Sequence, residues 1–277
     1  MTNSILKYCF LLITWFLINT NMIKAEKYKI HDLDRPKPNI INVSNFSQNA
    51  LPPSDAIILF NGNGLDEWKS IDEPGEYEFR FLADKGGSFK LKNKNVKWKS
   101  TPDYFEAKKG TGSIITKKSF GDVQLHIEWS TPTKIEGESQ GRGNSGVFFM
   151  AGAGGWGYEI QVLDSYNNPT YADGQAGAIY GQFPPLFNAA MKPGEWQTYD
   201  IIFSRPRFDS DKNLIKPAYV TVIHNGVLIQ NHKEIVGPTS HKIRAPYVFH
   251  EDRLPIQLQD HSNPVRFRNI WVRDLEK

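Results

Sequence analysis

The chain has 277 residues, of which 33 are lysine or arginine and 30 are aspartate or glutamate, so the formal net charge is +3. No long basic run or arginine-rich helix accompanies that small excess, and nucleic acid is therefore not an expected partner. The single cysteine, Cys9, excludes a disulfide framework within the chain.

The first 25 residues have the layout of a secretory signal peptide. Lys7 supplies a weak positive start, the apolar run at residues 8–18 is too short to span a bilayer, and Ala25 offers a cleavage site. We therefore expect an exported protein, periplasmic or secreted, with no membrane span after cleavage. Retention of the leader as an anchor stays open. Cleavage would remove Cys9 together with both leader lysines, which leaves a formal charge of +1.

Residues 26–54 are rich in proline, asparagine and serine, a composition typical of an extended segment. We expect this lead-in to lie across the surface of one domain that runs from residue 55 to residue 277. Ordered structure is predicted to begin with a short strand in AIILFNGNGLDEW, at residues 56–68.

Short strands are predicted through the rest of the chain. The pair Asn225-Gly226 indicates a two-residue hairpin turn, which needs positive φ. No segment has a sustained helical period, and 22 glycines and 17 prolines interrupt the chain. These features predict an all-β antiparallel sandwich or jelly roll, whose curved sheets leave one concave polar face. The predicted strands lie at 112–117, 122–130, 145–150, 158–163, 177–182, 196–204, 218–230 (a hairpin), 255–260 and 265–273.

The strand YEIQVL carries unusual polar side chains. Glu159 and Gln161 alternate with apolar residues, so they share the face opposite the core. Asp164 would face the other way unless a bulge lies between it and Glu159. The spacing E-x-Q-x-x-D is that of the E-x-D-x-x-E motif of retaining β-glucanases, in which two glutamates flank the scissile bond. Gln161 cannot hold a proton, which disfavours a conventional retaining glycosidase but leaves it as an alternative.

Several longer motifs occur in order along the chain. LFNGNGLDEW, FGDVQLHIEW, GRGNSGVFFMAGAGGWGYEIQVLDSYNN, KPGEWQTYDIIF, VTVIHNGVLIQNH and IQLQDHSNPVRFRNIWVR resemble the 3-keto-disaccharide hydrolase domain family. The resemblance runs from about Pro52 to the C-terminus. It implies a concanavalin A-like jelly-roll sandwich of two antiparallel sheets with a concave polar cleft. It also implies export and activity on glycosides already oxidised at C3.

The implied chemistry gives the polar strand a role. A ketone at C3 acidifies the C2 hydrogen, so a base can remove it, the C1 substituent can leave, and hydration of the enone releases a 3-keto sugar. Direct hydrolysis stays open. Glu159 is the candidate base, and His261 is the candidate proton carrier because an unperturbed histidine titrates near pH 6.5. Glu128, which shares a strand face with His126, is a second candidate carboxylate expected in the same cleft.

Seven further side chains are candidates for substrate binding, each with a structural alternative. Arg268 is a potential donor to an enolate or hydroxyl, and Asp260 can act together with His261 only in a turn. Asp164 is assigned to substrate binding or to bracing the strand end. The seven are Arg142, Asn144, Gln161, Asp164, Tyr180, Asp260 and Arg268.

Aromatic residues make up 13% of the chain. Most are expected in the core, above all the tryptophans that alternate with apolar neighbours, namely Trp129, Trp196 and Trp271. Those near loop signals are better candidates for contact with sugar rings, namely Trp156, Tyr171 and Tyr180. Asp173, in YADGQAG, is expected in a plain turn, with closure of the segment over substrate and binding of a structural cation as the alternatives.

No cofactor is predicted from the sequence. The histidines lack tight pairs such as H-x-H or H-E-x-x-H, although an oxygen-ligated Ca²⁺ or Mg²⁺ built from separate loops stays open. The expected partner is an oligosaccharide or 3-keto-glycoside substrate, and the oligomeric state is not predicted. A non-catalytic glycan-binding module is a third interpretation, because a fold alone does not imply activity.

Overall fold

The computed structural model describes residues 27–44, 46–71, 93–153 and 156–276, so the predicted leader lies outside the described residues. Within these ranges the chain forms short β-strands and two 3₁₀ helices, Ser139–Gly141 and Ala172–Gly174. The predicted all-β class is therefore confirmed. No helix in the described ranges is long and apolar enough to cross a membrane.

Two antiparallel sheets form the sandwich in the described part of the chain. The first comprises, in spatial order, β10 (Tyr158–Val162), β9 (Ser145–Phe149), β17 (Gln257–Leu258), β7 (Ile114–Thr116), β3 (Trp68–Ile71) and β4 (Asn93–Lys94). The second comprises β16 (Val227–Glu234), β15 (Tyr219–His224), β12 (Gln197–Ser204), β8 (Val123–Ser130), β18 (Arg266–Asp274), β6 (Phe105–Glu106) and β5 (Lys99–Ser100), with β2 (Ile57–Phe60) also paired to β18.

Two small strand pairs lie outside the sandwich sheets. The first is parallel and joins the lead-in to the domain, and the second is antiparallel. They are β1 (Asn39–Ile40) with β11 (Phe187–Asn188), and β13 (Arg207–Phe208) with β14 (Leu214–Lys216).

The inner faces of the two sheets pack into one hydrophobic cluster. β8 contributes Trp129, and β10 contributes Tyr158 and Ile160, all of them fully buried. Each buried side chain of this size stabilises the fold by roughly 1.5–3 kcal/mol. A one-residue shift of either strand would exchange its two faces, so this packing fixes the register. It also directs the intervening residues, Glu128 and Glu159, to the two outer faces.

The three tryptophans predicted in the core have different environments. Trp129 lies in the cluster between the sheets, as expected. Trp271 is buried on the outer face of the second sheet, where it stacks on His126 with 5.1 Å between ring centroids. The prediction for Trp196 is wrong: it is half-buried, with the Arg268 guanidinium 4.2 Å from its ring centroid. Trp196 precedes β12, so the alternation of that strand does not fix its direction.

The turns determine where the predicted strands agree with those of the structure. Asn225 and Gly226 form the predicted two-residue hairpin between β15 and β16, with φ of 50° and 82°. The strand predicted at 177–182 is reduced to bridges that Ile179 makes with Ile160 and Phe183. Positive φ at both glycines of that segment interrupts an extended strand.

The lead-in links the two sides of the sandwich. Near its start, the backbone N–H of His31 donates to Asp173, in the segment that follows β10, at 3.0 Å. Its middle forms β1, paired with β11. Near its end, Ser47 Oγ lies 3.1 Å from Asp200 Oδ2 on β12, and the Asn49 N–H donates to Glu128 on β8. The lead-in therefore passes from the first sheet to the outer face of the second.

The loop between β6 and β7 offers a test of the backbone geometry. Gly110 and Gly112 both have positive φ, but only at Gly112 would a Cβ atom collide with backbone, 2.4 Å from the Ile71 carbonyl oxygen. We expect Gly110→Ala to destabilise the fold by about 1 kcal/mol, the cost of the left-handed conformation. Gly112→Ala should cost about 2 kcal/mol more because that carbonyl must move. Denaturant unfolding of the two variants measures the difference, and equal losses would contradict the collision.

Candidate active site

The candidate active site lies on the outer face of the first sheet. β10 pairs with β9 in regular register, with Glu159 opposite Phe148 and Gln161 opposite Gly146. β17 continues the face with Gln257 opposite Phe148. Glu159 and Gln161 thus point away from the core, as the alternation predicts, on an outer face that they share with Phe148.

A glycine makes room for the Glu159 carboxylate. A Cβ atom on Gly146 would lie 2.6 Å from Glu159 Oε1 and 2.6 Å from the Phe148 ring. The carboxylate therefore lies across the β9 backbone, where a larger residue would displace it. Only 3% of Glu159 is exposed, so its charge is held in a largely desolvated place.

The side chain of Gln161 lies between Glu159 and Gln140. Its amide is 2.8 Å from Glu159 Oε1 at one end and 2.8 Å from Gln140 Oε1 at the other. With its nitrogen toward Glu159, Gln161 donates to that carboxylate and to the Ser145 carbonyl oxygen, at 3.1 Å. This orientation stabilises an ionised Glu159, the form that a general base needs.

Two tyrosines and a histidine adjoin Glu159. Ile179 pairs with Ile160 and faces the core, so Tyr180 lies on the same outer face as Glu159. The Tyr180 hydroxyl is 2.9 Å from the Tyr171 hydroxyl and 3.1 Å from His241 Nδ1. These groups form a continuous hydrogen-bonded chain beside the carboxylate.

Both tyrosines keep their protons at neutral pH. Burial is the main cause that raises the pKa of Tyr171, to about 12, and the Asp173 and Glu159 charges add to it. Burial also raises the pKa of Tyr180 far above its usual value, with further contributions from Tyr171, Glu159 and Asp173. One of the two hydroxyl protons is used in the bond between the tyrosines, so the pair can offer one neutral donor to a bound ligand when His241 Nδ1 donates to Tyr180.

Asp173 is fully buried and anchors the lead-in to this site. His31 binds it twice, through its backbone N–H at 3.0 Å and through ring Nδ1 at 3.4 Å, and Arg35 Nη1 lies 3.9 Å away. Burial opposes ionisation of Asp173, but the His31 hydrogen bonds and the nearby cations lower its pKa overall. The segment around Asp173, expected to form a plain turn, is thus a buried polar contact between the domain and the lead-in.

Three predicted binding residues lie instead where β9 begins and β10 ends, namely Arg142, Asn144 and Asp164. Asp164 accepts a hydrogen bond from Arg142 Nε at 2.6 Å, and both are buried. The Asn144 N–H donates to Asn263 Oδ1 at 2.7 Å. The register of β10 is regular up to Val162, so no bulge turns Asp164 toward Glu159. Arg142 and Asp164 line a cavity of about 180 Å³. Two roles were predicted for Asp164, and its hydrogen bond with Arg142 fits the one that braces the strand end.

The turn after β17 holds the other predicted pair. Asp260 Oδ2 accepts hydrogen bonds from the N–H groups of Thr111 and Gly112, at 3.0 and 3.1 Å, so this carboxylate braces the loop before β7. His261 is exposed at the next position. The catalytic role predicted for His261 stays a prediction.

The structure contradicts the prediction that Glu128 shares the cleft of Glu159. Glu128 lies on β8, in the second sheet, and points to the opposite outer face of the sandwich. It accepts a hydrogen bond from Arg268 Nε at 2.7 Å and another from Asn269 at 2.9 Å, and the lead-in covers it at Asn49. Arg268 is therefore bound to Glu128 and does not reach over the Glu159 face. Sheet membership, which strand alternation does not reveal, separates the two carboxylates.

Glu128 belongs to a buried ionic cluster with His126. Burial opposes the charge on Glu128, but the nearby His126 and the hydrogen bonds from Asn269, Arg268 and the Asn49 backbone lower its pKa to about 2. His126 Nδ1 is 2.7 Å from Asp200 Oδ1, and its Nε2 is 3.7 Å from Glu128. Burial lowers the pKa of His126, but its bonds to the two carboxylates outweigh this and raise it overall.

Metal ligation has no support in the described ranges. No group of three or more histidine, cysteine, aspartate or glutamate side chains is arranged there to hold an ion.

Comparison with known proteins defines the class. Residues 55–273 match the family described as the 3-keto-alpha-glucoside-1,2-lyase-like domain. A crystal structure from Parabacteroides distasonis ATCC 8503, described as a "putative glycosyl hydrolase", is 46% identical, with a TM-score of 0.68 over 80% of this chain and 85% of that one. A second, from the same organism and with the same description, is 19% identical, with a TM-score of 0.55 over 82% and 99%. No curated protein matches the sequence.

These matches and the jelly-roll sandwich define a carbohydrate-active enzyme that acts on glycosidic bonds as a hydrolase or lyase. The chain belongs to the 3-keto-alpha-glucoside-1,2-lyase-like domain family, whose match covers most of its length. The resemblance seen in the sequence motifs is therefore confirmed.

The ionic cluster on the second sheet predicts a pH dependence of stability. The pKa of His126 is higher in the folded than in the unfolded protein, so the ionic cluster contributes its full stabilisation below about pH 6.5. That contribution is lost as the pH rises through the folded-state pKa. The free energy of unfolding should therefore fall as the pH rises from about 6.5. His126→Gln should be less stable than wild type and should lose this slope. Denaturant unfolding at a series of pH values checks it.

The exposed His232, on β16, supplies the control for that measurement. His232→Gln should keep the wild-type slope above pH 6.5. A slope that survives in His126→Gln would show that another group causes it.

Proposed function

We propose that the protein cleaves 3-keto-glycosides, with Glu159 as the base that removes the C2 proton. The observation that carries the proposal is the position of Glu159 beside Gln161 and the Tyr171–Tyr180 pair. The two other carboxylates considered for catalysis are committed elsewhere: Asp164 to Arg142, and Glu128 to Arg268. Membership of the 3-keto-alpha-glucoside-1,2-lyase-like family supports the oxidised substrate.

Proton abstraction needs the groups that this face provides. A base attacks the C2 hydrogen, and neutral donors stabilise the negative charge that develops on the C3 oxygen. With its nitrogen toward Glu159, Gln161 favours the ionised carboxylate, and the Tyr171–Tyr180 hydroxyl pair supplies the donor. The desolvated position of Glu159 strengthens it as a base, since burial disfavours the carboxylate charge.

Direct hydrolysis of an unoxidised glycoside requires a different arrangement. It uses two opposed carboxyl groups, about 5–5.5 Å apart in retaining enzymes and about 6.5–9.5 Å apart in inverting ones. The sequence offered Asp164 or Glu128 as the partner of Glu159. Asp164 is turned to Arg142, and Glu128 lies on the other side of the sandwich. Elimination followed by hydration therefore suits these residues better than displacement by a carboxylate pair.

Export is a part of the proposal that rests on the leader sequence alone. An N-terminal signal peptide at residues 1–25 would place the enzyme in the periplasm or outside the cell, where oxidised glycan fragments are accessible. Cell fractionation with detection of the processed N-terminus tests this part separately from the catalytic proposal.

Substitution of the base tests the catalytic proposal. Glu159→Gln keeps the size and hydrogen-bonding capacity of the side chain but removes the base, so kcat/KM on a 3-keto-glucoside should fall at least about 10²-fold. Glu67→Gln, at an exposed glutamate, is the matched control and should keep wild-type activity. Product release is followed by chromatography, and unfolding midpoints verify that both variants are folded.

The same reaction run in D₂O identifies the mechanism. Deuterium at C2 of the released 3-keto sugar is the expected result, since the proton returns to C2 from a group in exchange with solvent. Turnover without deuterium at C2 would contradict proton abstraction. Efficient cleavage of the unoxidised disaccharide would point to the conventional glycosidase instead.

A further inference from the structure

His31 stands in the lead-in, ahead of the family match that begins at residue 55. Its backbone has φ of 59°, a left-handed conformation that is uncommon outside glycine and often marks functional sites. The centroid of its ring lies 3.9 Å from that of the Tyr171 ring. The Asp173 carboxylate contacts both the backbone N–H and the ring Nδ1 of His31. These three contacts fix the position of His31.

The second nitrogen of His31 has a different environment. Its side chain is 6% exposed, yet Nε2 has no hydrogen-bond partner among the described residues. The His31 ring adjoins the rings of Tyr180 and His241, at centroid-to-centroid distances of 5.1 and 5.4 Å. A buried polar atom without a partner is destabilising unless a ligand satisfies it. The ring thus has one nitrogen held by a carboxylate and the other without a partner among the described residues, beside Tyr180 and His241.

An Asp–His pair of this kind is suited to proton transfer. The carboxylate fixes the tautomer and orientation of the ring and stabilises the imidazolium, while the opposite nitrogen exchanges a proton with the reactant. Glu159 lies beside the same Tyr171–Tyr180 pair: Tyr180 shares its outer face, and the Tyr180 N–H donates to the Glu159 carbonyl oxygen at 3.4 Å. His31 and Glu159 therefore flank one small polar site.

We infer that His31 is a catalytic residue of this site, the proton donor to the departing glycosidic oxygen. The inference rests on the proposed cleavage of 3-keto-glycosides. It gives the lead-in, outside the family-matched domain, a share in the chemistry. Asp173 is then the positioning residue for His31.

The proton balance of the reaction closes with these two groups. Glu159 takes the C2 proton, and the C–H electron pair forms the enolate of the C3 ketone. As the C3 carbonyl re-forms, a C1=C2 double bond forms and the C1–O bond breaks. The departing oxygen keeps that electron pair and takes the proton from His31 Nε2. In the hydration step, neutral His31 accepts a proton from water as its oxygen adds to C1, and Glu159 returns a proton to C2.

Two substrates with different leaving groups test this role. A methyl 3-keto-glucoside releases a poor leaving group that needs a proton, whereas a 4-nitrophenyl 3-keto-glucoside releases one that does not. His31→Gln should lower kcat/KM about 10²-fold or more on the methyl glycoside and less than about tenfold on the nitrophenyl glycoside. Glu159→Gln should lower both strongly, because both require loss of the C2 proton.

Hydrogen exchange provides a second readout that a merely structural role would not produce. In D₂O, His31→Gln should still exchange the C2 hydrogen of the unreacted methyl glycoside, because Glu159 remains, although cleavage is slow. Glu159→Gln should lose this exchange. Added imidazole should partly restore cleavage by His31→Ala, and unfolding midpoints check that all variants are folded.

His232 is the matched control, since it also has positive φ, 42°, and also stacks on a tyrosine, Tyr219, at 4.5 Å. His232→Gln should behave as wild type on both substrates. Equal losses on the two substrates in His31→Gln would overturn the donor role, as would full activity there combined with a leaving-group-dependent loss in His261→Gln. If wild type cleaves neither substrate, the proposed function fails and the inference fails with it.

Discussion

The packing of the two inner sheet faces against each other determines where the polar side chains of the central strands point. Tyr158 and Ile160 fill the space between the sheets, so Glu159 and Gln161 must face outward. On β8 the same constraint turns Trp129 inward and Glu128 to the opposite outer face. One hydrophobic core thus supports two separate polar surfaces, and their carboxylates cannot cooperate across it.

The two surfaces treat charge differently. On the second sheet, His126, Arg268 and Glu128 neutralise one another in a buried ion cluster, and the carboxylate has a lowered pKa of about 2. On the first sheet, Glu159 adjoins amide and phenol groups, which are hydrogen-bond donors without charge. The salt bridge from Arg268 makes Glu128 a weak base. The groups around a carboxylate therefore separate a structural glutamate from a candidate base better than exposure does, since Glu128 and Glu159 are both buried.

Local signals in the sequence were sufficient for most of the predicted strands, the Asn225-Gly226 turn and the outward direction of Glu159, because each depends on neighbouring residues. The family motifs added the jelly roll and the class of chemistry. The pattern could not assign Glu128 to a sheet, because alternation defines a face but not the partner strands. It also carried no signal for His31 or His241 beside Tyr180: His31 contacts Asp173 across 142 positions of sequence, and no short-range periodicity encodes such a contact.

The wrapping path of the lead-in has a consequence for how the molecule folds. Contacts between this segment and the domain span 79 to 219 positions, so closing them costs much chain entropy. They gain little until the sandwich exists as a surface to dock on. The lead-in should therefore attach last and detach first, with an opening free energy below that of the core. Because the N-terminal part of a chain is synthesised first, a segment made early is the one that completes the native structure.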